Sequence, residues 1–376
     1  NGHVVVGIGA DFLAEHLNFG YSRDYIKLRD PRAGKMSSHW QFESNMSITG
    51  ANADHRVMIK PSEQGKVALA LYNALAKKAG ASTIGSVTTA YDEQIATVAN
   101  KLWAAQGKSI VMAGSNDLAV QKVLVGINQL LGNYGATMDM NQALLVKQGS
   151  DSDMGALLAD MKSGKVGALI MSGVNPVYNH AAGSQFAEAL AKVDLSVAIS
   201  DRADETAQNT EYLLPANHYL ESWADAEPVE GYYTLAQPAI QKLYSTRSLT
   251  ENMLSWLGKG SAYDYLRGVW SSNILLAGLG NWNQSLHDGF YQLPSEGSMD
   301  AAPMIDVSAD GRAIAQGKSE GFELELFAMA SMGDGAEANN PWLLEMPDPI
   351  TRTSWDNYLT VSRADAEEMG LVNENT

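Results

Sequence analysis

At 376 residues the chain has room for two to three domains of about 150 residues each. Hydrophobic residues make up 45% of it and aromatics 8%, which excludes disorder as the main state; charged residues reach only 18%, against roughly 25% in ordinary soluble domains. The net charge of −17 excludes a nucleic-acid-binding role built on basic patches, and so low a charge density is expected of a protein that hides surface against other protein.

In chain order, Val4–Ile8 is a short apolar strand, followed by a Gly9–Asp11 loop. Tyr21–Lys35 has no periodicity and reads as a surface loop. Trp40–Met46 reads as a second strand, leading into polar Thr49–Arg56. From Ser62, a capping residue, Val67, Ala68, Leu71, Ala74 and Leu75 recur at helical spacing, and Gly80 closes the helix. Helices are predicted at Asp92–Gln106, Leu118–Leu131, Met154–Ser163 and Gln185–Val193. Strands are predicted at Ser109–Met112, near Ala143–Val146, and at Val166–Met171, Leu195–Ile199 and Tyr212–Leu214. This alternation over 92–214 implies βαβ units: an α/β fold with a parallel, doubly wound (Rossmann-like) sheet. Right-handed crossovers then place the strand C-termini on one edge. Pro215–Ser245 is irregular. Leu249–Leu257 and Ala262–Ser272 are helical, Pro294–Gly317 is a linker or surface excursion, and Phe322–Met329 is a strand or helix. Asn340–Thr351 is extended, and Ala364–Gly370 is a short helix. There is no internal repeat.

Ligands of open parallel sheets bind beyond the strand C-termini. There the chain carries Gly114, Asn116, Gly173, Asn175, Asp201 and Thr206, residue types suited to a nucleotide-like pocket and equally to ordinary turns. Gly7-Ile8-Gly9-Ala10-Asp11-Phe12 has two of the three glycines of a dinucleotide fingerprint, so it reads as a tight turn and a free nucleotide-dependent dehydrogenase is disfavoured. His3, His16, His39, His55, His180, His218 and His287 are scattered without metal-ligand spacing. Asp54-His55-Arg56 with Lys60 could hold an anion or form a salt-bridged loop. Trp223, Tyr232, Tyr233, Trp342 and Trp355 lie in irregular segments, where they either anchor an interface or close a core.

Charge is uneven: residues 1–80 hold ten Lys/Arg and seven Asp/Glu, net +3, leaving −20 for the rest. The apolar runs Val166–Met171 and Ile274–Leu279 are too short to span a membrane. With no cysteine, the chain carries no disulfide, thiolate-bound cluster or catalytic thiol. It opens at Asn1, without a methionine or signal peptide, directly on a strand, and reads as a fragment of something larger.

The run Phe42-Glu43-Ser44-Asn45-Met46-Ser47-Ile48-Thr49-Gly50-Ala51-Asn52-Ala53-Asp54-His55-Arg56, with Lys60-Pro61-Ser62-Glu63, resembles a block of the molybdopterin oxidoreductase superfamily. More narrowly it is similar to the large iron–sulfur subunit of bacterial alternative complex III. Gly9–Leu13, Tyr21–Arg23, Glu205–Ala207, Leu213–Ala216, Leu220–Trp223, Gln237–Ile240, Asn339–Leu343, Pro347–Ile350 and Trp355–Tyr358 fit the same pattern. The resemblance implies a molybdopterin-type domain without molybdenum or pterin, so no catalytic, cofactor or metal residue in this chain. Gly114, Asn116, Gly173, Asn175, Asp201 and Thr206 would then be remnants of a pterin-nucleotide crevice. It implies iron–sulfur clusters on a separate Cys-rich domain and haem c in partner subunits. The implied partners are a multihaem cytochrome c and polytopic quinol-binding membrane subunits. The implied place is the periplasmic face of the bacterial cytoplasmic membrane, as a peripheral subunit with no transmembrane segment of its own. On this reading, residues 1–80 are part of a first α/β domain and 81–245 the Rossmann-like domain. Residues 246–320 return to the first domain, and 321–376 form an extended linker toward a further domain. One departure stands out: active relatives place Glu-Gly-Arg after the Leu-Pro-Ala segment, whereas here Glu230-Gly231 is followed by Tyr232-Tyr233, and a phenol does not replace a guanidinium fork. The alternative is the core of a working molybdenum or tungsten bis-pterin oxidoreductase, with a serine or aspartate as metal ligand.

Overall fold

The computed structural model describes residues 3–14, 20–34, 36–275, 280–294 and 305–371. His16, Lys35, Leu276–Leu279 and 295–304, each part of an expectation above, lie outside the described residues.

The first unit is a parallel four-stranded sheet built from β1 (Val4–Ile8), β2 (Ser38–Glu43), β3 (His55–Met58) and β4 (Ser109–Ala113), in the order β3-β2-β1-β4. β1, Val-Val-Val-Gly-Ile, is buried along its whole length, as a central parallel strand must be. Helix Gln64–Ala79 turns Val67, Ala68, Leu71 and Leu75 into the core and ends at Gly80, whose φ of 67° suits the left-handed cap. Helices Asp92–Ala104 and Leu118–Leu130 complete that core with Val98, Leu102, Val123 and Ile127. Helix Ser308–Gln316, in the stretch expected to be a linker, returns to this unit: Lys122 pairs with Asp310 at 3.1 Å, and Gly311 fits closely against Ile84 and Leu69.

A second, three-stranded parallel sheet follows, with β5 (Ala168–Ser172), β6 (Leu195–Ser200) and β7 (Tyr212–Pro215) in sequence order. Helices Asp151–Lys162 and Gly183–Leu190 cover one face through Leu158, Met161, Phe186 and Leu190. The third sheet is antiparallel: β8 (Ala224–Val229) and β9 (Tyr232–Ala236) form a hairpin, and β10 (Phe290–Gln292) joins β9. Its core is aromatic. Trp270 is fully buried, lies edge-on to Trp282 at 5.9 Å and donates its indole N–H to Asp225 at 2.9 Å.

The α/β class with parallel sheets is therefore as expected, but 92–214 is not one sheet. β4 pairs with β1, Val4 opposite Ser109, so the expected boundary at residue 80 falls inside the first unit. Alternation of strands and helices fixes crossovers but not which sheet a strand joins; β1 would carry an open, buried edge without β4. The strand expected at Ala143–Val146 reduces to one antiparallel bridge, Leu144 to Val229. The surface loop expected at Tyr21–Lys35 is instead helix Gly20–Lys27 and a short 3-10 turn; with no buried residue in that helix, no apolar periodicity marked it. Irregular Pro215–Ser245 holds the β8–β9 hairpin, turned at Glu230-Gly231 with φ 75° at the glycine. Phe322–Met329 is neither helix nor paired strand.

Candidate functional site

Two crevices open at strand C-termini, one per parallel sheet. The first, about 580 Å³, lies beyond β1, β2 and β4, and is lined by Gly9, Asp11, Glu43, Ser47, Gln64, Gly114 and Lys147 and roofed by residues 325–330 and 348–351. Beneath it, β2 turns Trp40 and Phe42 into the apolar core and His39, Gln41 and Glu43 to the other face, all of them buried. A buried carboxylate costs several kcal/mol unless it is paired and hydrogen-bonded. Glu43 meets that condition: it accepts from Arg56 Nε at 2.6 Å, Ser47 Oγ at 2.6 Å and Ser47 N at 3.2 Å, and from Gln41 Nε2 at 3.3 Å. Ser47 also caps the turn Ile48–Ala51 by accepting from Gly50 N. Gly50 leaves the room that Glu43 needs, since an added Cβ would lie 1.9 Å from its Oε1; Gly7 does the same for Gln41.

The Asp54-His55-Arg56 cluster is salt-bridged, as one of the two readings had it, but His55 and Arg56 open β3 and only Asp54 precedes the strand. Asp54 takes a two-pronged pair from Arg29 at 2.7 and 2.9 Å and accepts from His39 N at 2.8 Å, which holds its carboxyl down at about 2. His55 stacks on Trp40 at 4.0 Å, and Arg56 serves Glu43. His39, edge-on to Tyr25 and with Nδ1 2.9 Å from its hydroxyl, is pushed down by burial to about 4. The unfolded chain binds this proton near 6.5, so stability is full above that pH and falls as pH drops toward 4, by about 3 kcal/mol in all. Denaturant titrations between pH 4 and 7 should show this slope, and His39→Gln should flatten it. Equal slopes in the two proteins would refute the assignment.

The second crevice, about 1090 Å³, lies beyond β5 and β6, and Gly173, Asn175, Asp201, Asp204 and Glu205 line it together with Asp334 and Glu337. Asn175 spends its whole amide internally: Oδ1 accepts from Thr206 N at 3.1 Å and Thr206 Oγ1 at 2.7 Å, and Nδ2 donates to Glu205 at 2.7 Å. Thr206 is buried and also accepts from Val177 N at 3.0 Å. Asp204 holds the following turn through Ala207 N at 2.8 Å. Asp201 pairs with Arg202 at 3.1 Å on the surface, which lowers its pKa.

The six residues singled out from the sequence are therefore divided. Gly114 belongs to the first crevice; Gly173, Asn175 and Asp201 line the second, with Thr206 bonded behind them; exposed Asn116 lines neither. Gly114 is small because β1 passes against it: an added Cβ would sit 2.1 Å from Gly9 O. Gly173 faces open space, and its glycine answers to φ 64°. Both crevices are acidic. Asp11, Glu43, Glu325 and Asp348 face Lys147 in the first, and six carboxylates face Arg202 in the second. The sequence reading missed the Gln41–Glu43–Arg56 network, although polar residues at every second position of a strand with Trp40 and Phe42 between them signalled a buried polar face. It also missed Glu325, which accepts from Ser44 Oγ and Asn45 N.

Tyr232 and Tyr233, standing where a Glu-Gly-Arg run would place its arginine, pack on aromatics: Tyr232 stacks on Phe290 at 5.2 Å and Tyr233 lies edge-on to Trp270 at 6.3 Å. Trp223 is half-buried against Tyr263 at 5.0 Å, whereas Trp342 and Trp355 are exposed. Among the described residues no group of three or more His, Asp or Glu is placed to hold a metal ion, and no helix is long and apolar enough to cross a membrane.

Among known proteins, the chain is 25% identical over 245 residues, 61% of its length, to a protein of Nitratidesulfovibrio vulgaris named menaquinone reductase, molybdopterin-binding-like subunit. It spans 32% of that relative. Acetylene hydratase from Pelobacter acetylenicus shares the fold, with a TM-score of 0.52 at 12% identity over 78% of this chain and 52% of the hydratase. Residues 42–251, more than half of the chain, match the family described as molybdopterin oxidoreductase, and they take in Glu43, Ser47 and Arg56, β3 and β4 of the first sheet, the whole second sheet and the β8–β9 hairpin. The chain belongs to the molybdopterin oxidoreductase family.

Proposed function

We propose that this chain is the molybdopterin-oxidoreductase-like part of an electron-transfer subunit in a membrane-bound, quinol-oxidising complex, and that it acts there as a scaffold. In the finer form of this reading it belongs to the large iron–sulfur subunit of alternative complex III, on the periplasmic face. Clusters on a Cys-rich domain and haem c on a multihaem cytochrome then carry the electrons, and polytopic membrane subunits bind the quinol. The observation that carries the reading is the engagement of the crevice residues with one another: Asn175, Thr206 and Glu205 satisfy themselves, and Glu43 is closed by Arg56 and Ser47. The name of the menaquinone reductase relative, a molybdopterin-binding-like subunit, supports it further.

A pterin dinucleotide carries a pyrophosphate, and both crevices oppose it with a field of the same sign. The one arginine of the second crevice is paired to Asp201, and the hairpin offers phenols packed on aromatics. The residues present do not fit the cofactor, and no chemical step is assigned to it. The competing reading, a working molybdenum or tungsten bis-pterin core, has the size of the second crevice in its favour.

Native complex purified through this subunit should contain c-type haem and oxidise quinol. Asp201→Ala should leave that rate unchanged and stability within about 0.5 kcal/mol, because the Asp201–Arg202 pair is exposed. Asn175→Ala should cost stability, about 1–3 kcal/mol for the groups it leaves unpaired, with the rate kept. A hundredfold loss of rate in the intact complex would overturn the scaffold reading.

A further inference from the structure

Residues 322–327 belong to no helix or strand and make no backbone–backbone hydrogen bond among the described residues. Along them carboxylates bonded back to the protein alternate with exposed apolar side chains. Glu323 turns inward to accept from Ser62 N at 2.8 Å and Ser62 Oγ at 2.6 Å, and Glu325 from Ser44 and Asn45. Phe322, Leu324 and Leu326 are left 76%, 71% and 85% exposed. The Phe327 ring, 6.0 Å from that of Tyr358, ties this segment to the loop bearing exposed Leu359.

That loop is rigid. Asn340 caps the short helix Pro341–Glu345 by accepting from Trp342 N at 3.1 Å. Buried Asp348 accepts from Ile350 N at 2.9 Å and Thr351 N at 2.8 Å, and Trp355 N donates to Leu344 O at 2.9 Å. Arg352 and Trp355 are held at φ 64° and 71°, a strain that side-chain-bearing residues keep only where the surroundings fix it. The result presents Trp342 82% exposed and Trp355 51% exposed, large apolar rings of the kind that anchor interfaces. Beside them in sequence Glu345 and Asp356 are exposed, with Arg352 the cation of the same loop, and the chain as a whole carries −17.

We infer that the face carrying Leu324, Leu326, Trp342, Trp355 and Leu359 docks another protein with an apolar centre and a lysine- and arginine-rich rim. A second copy of this chain would bring −17 against −17, and anionic lipid would be repelled in the same way; a basic protein is the complement. Of this face Leu326 also lines the first crevice, whereas Leu324, Trp342, Trp355 and Leu359 line neither crevice; only the partner's place in a respiratory assembly rests on the function proposed above.

The test places the photo-reactive residue benzoylphenylalanine at position 342 or 355 of the full chain in cells, with a control probe at exposed position 78, and identifies adducts by mass spectrometry. Expected is one other polypeptide, joined through a Lys/Arg-flanked apolar peptide, absent from the control. Its yield should fall at least tenfold in the Glu345→Lys, Asp356→Lys double variant, whose melting temperature should match the parent. No adduct, an adduct to lipid or to a second copy, or a yield indifferent to the charge reversal would each overturn the inference. A basic adduct in a complex that does not oxidise quinol would sink the respiratory reading and leave the docking face standing.

Discussion

Arg56→Met should lower the stability of the first unit by about 3–5 kcal/mol, the largest loss expected of any single side-chain change described for this protein. Methionine keeps most of the volume and the apolar stem but removes the guanidinium that meets Glu43 at 2.6 Å, and Glu43 is only 3% exposed. Its remaining partners, two groups of Ser47 and the amide of Gln41, are neutral donors and do not balance the charge. Glu43→Gln in the Arg56→Met background should therefore recover at least half of the loss, because the buried charge goes with it. Urea unfolding followed by circular dichroism measures both. A loss under about 1 kcal/mol for Arg56→Met would mean that water reaches the carboxylate and that the crevice floor is not closed.

Gly114→Ala comes next, at about 3 kcal/mol or more. The added methyl would lie 2.1 Å from Gly9 O and 3.2 Å from Ala10 Cα, so the clash is with backbone and relief requires β1 and β4 to part at their C-terminal ends. Gly173→Ala, in the other sheet, meets nothing within 4 Å; it pays only for φ 64°, about 1 kcal/mol. The contrast separates two meanings of a strand-end glycine. Were Gly114 kept small to admit a ligand, its alanine variant would fold with nearly parental stability and lose only binding; thermal melts of the two variants decide between these.

What the sequence made legible follows physical range. β1 and helix Gln64–Ala79 are read from local signals, an unbroken apolar run and a 3.6-residue stripe closed by glycine. Helix Gly20–Lys27 buries nothing and so has no stripe to read. The β8–β9 hairpin was hidden by Pro228 inside a strand and by reading Glu230-Gly231 as a motif instead of a turn. Pairing of β4 with β1 joins residues about a hundred positions apart, and Glu325 reaches Ser44 across 281; no window of sequence contains either contact. Gly114, Gly173 and Asp201 directly follow β4, β5 and β6, a placement that local pattern supplies. Their division between two crevices, and the spending of Asn175 on Thr206 and Glu205, depend on packing that only the folded chain has.

The central claim is that a fold of the molybdopterin oxidoreductase family serves here without its cofactor, and the most direct measurement is the metal and pterin content of the native assembly. Plasma mass spectrometry together with pterin fluorescence after oxidation should find iron and neither molybdenum, tungsten nor pterin. One molybdenum or tungsten per subunit, with pterin in proportion, would contradict the account and return Asn175 and Asp201 to a working site.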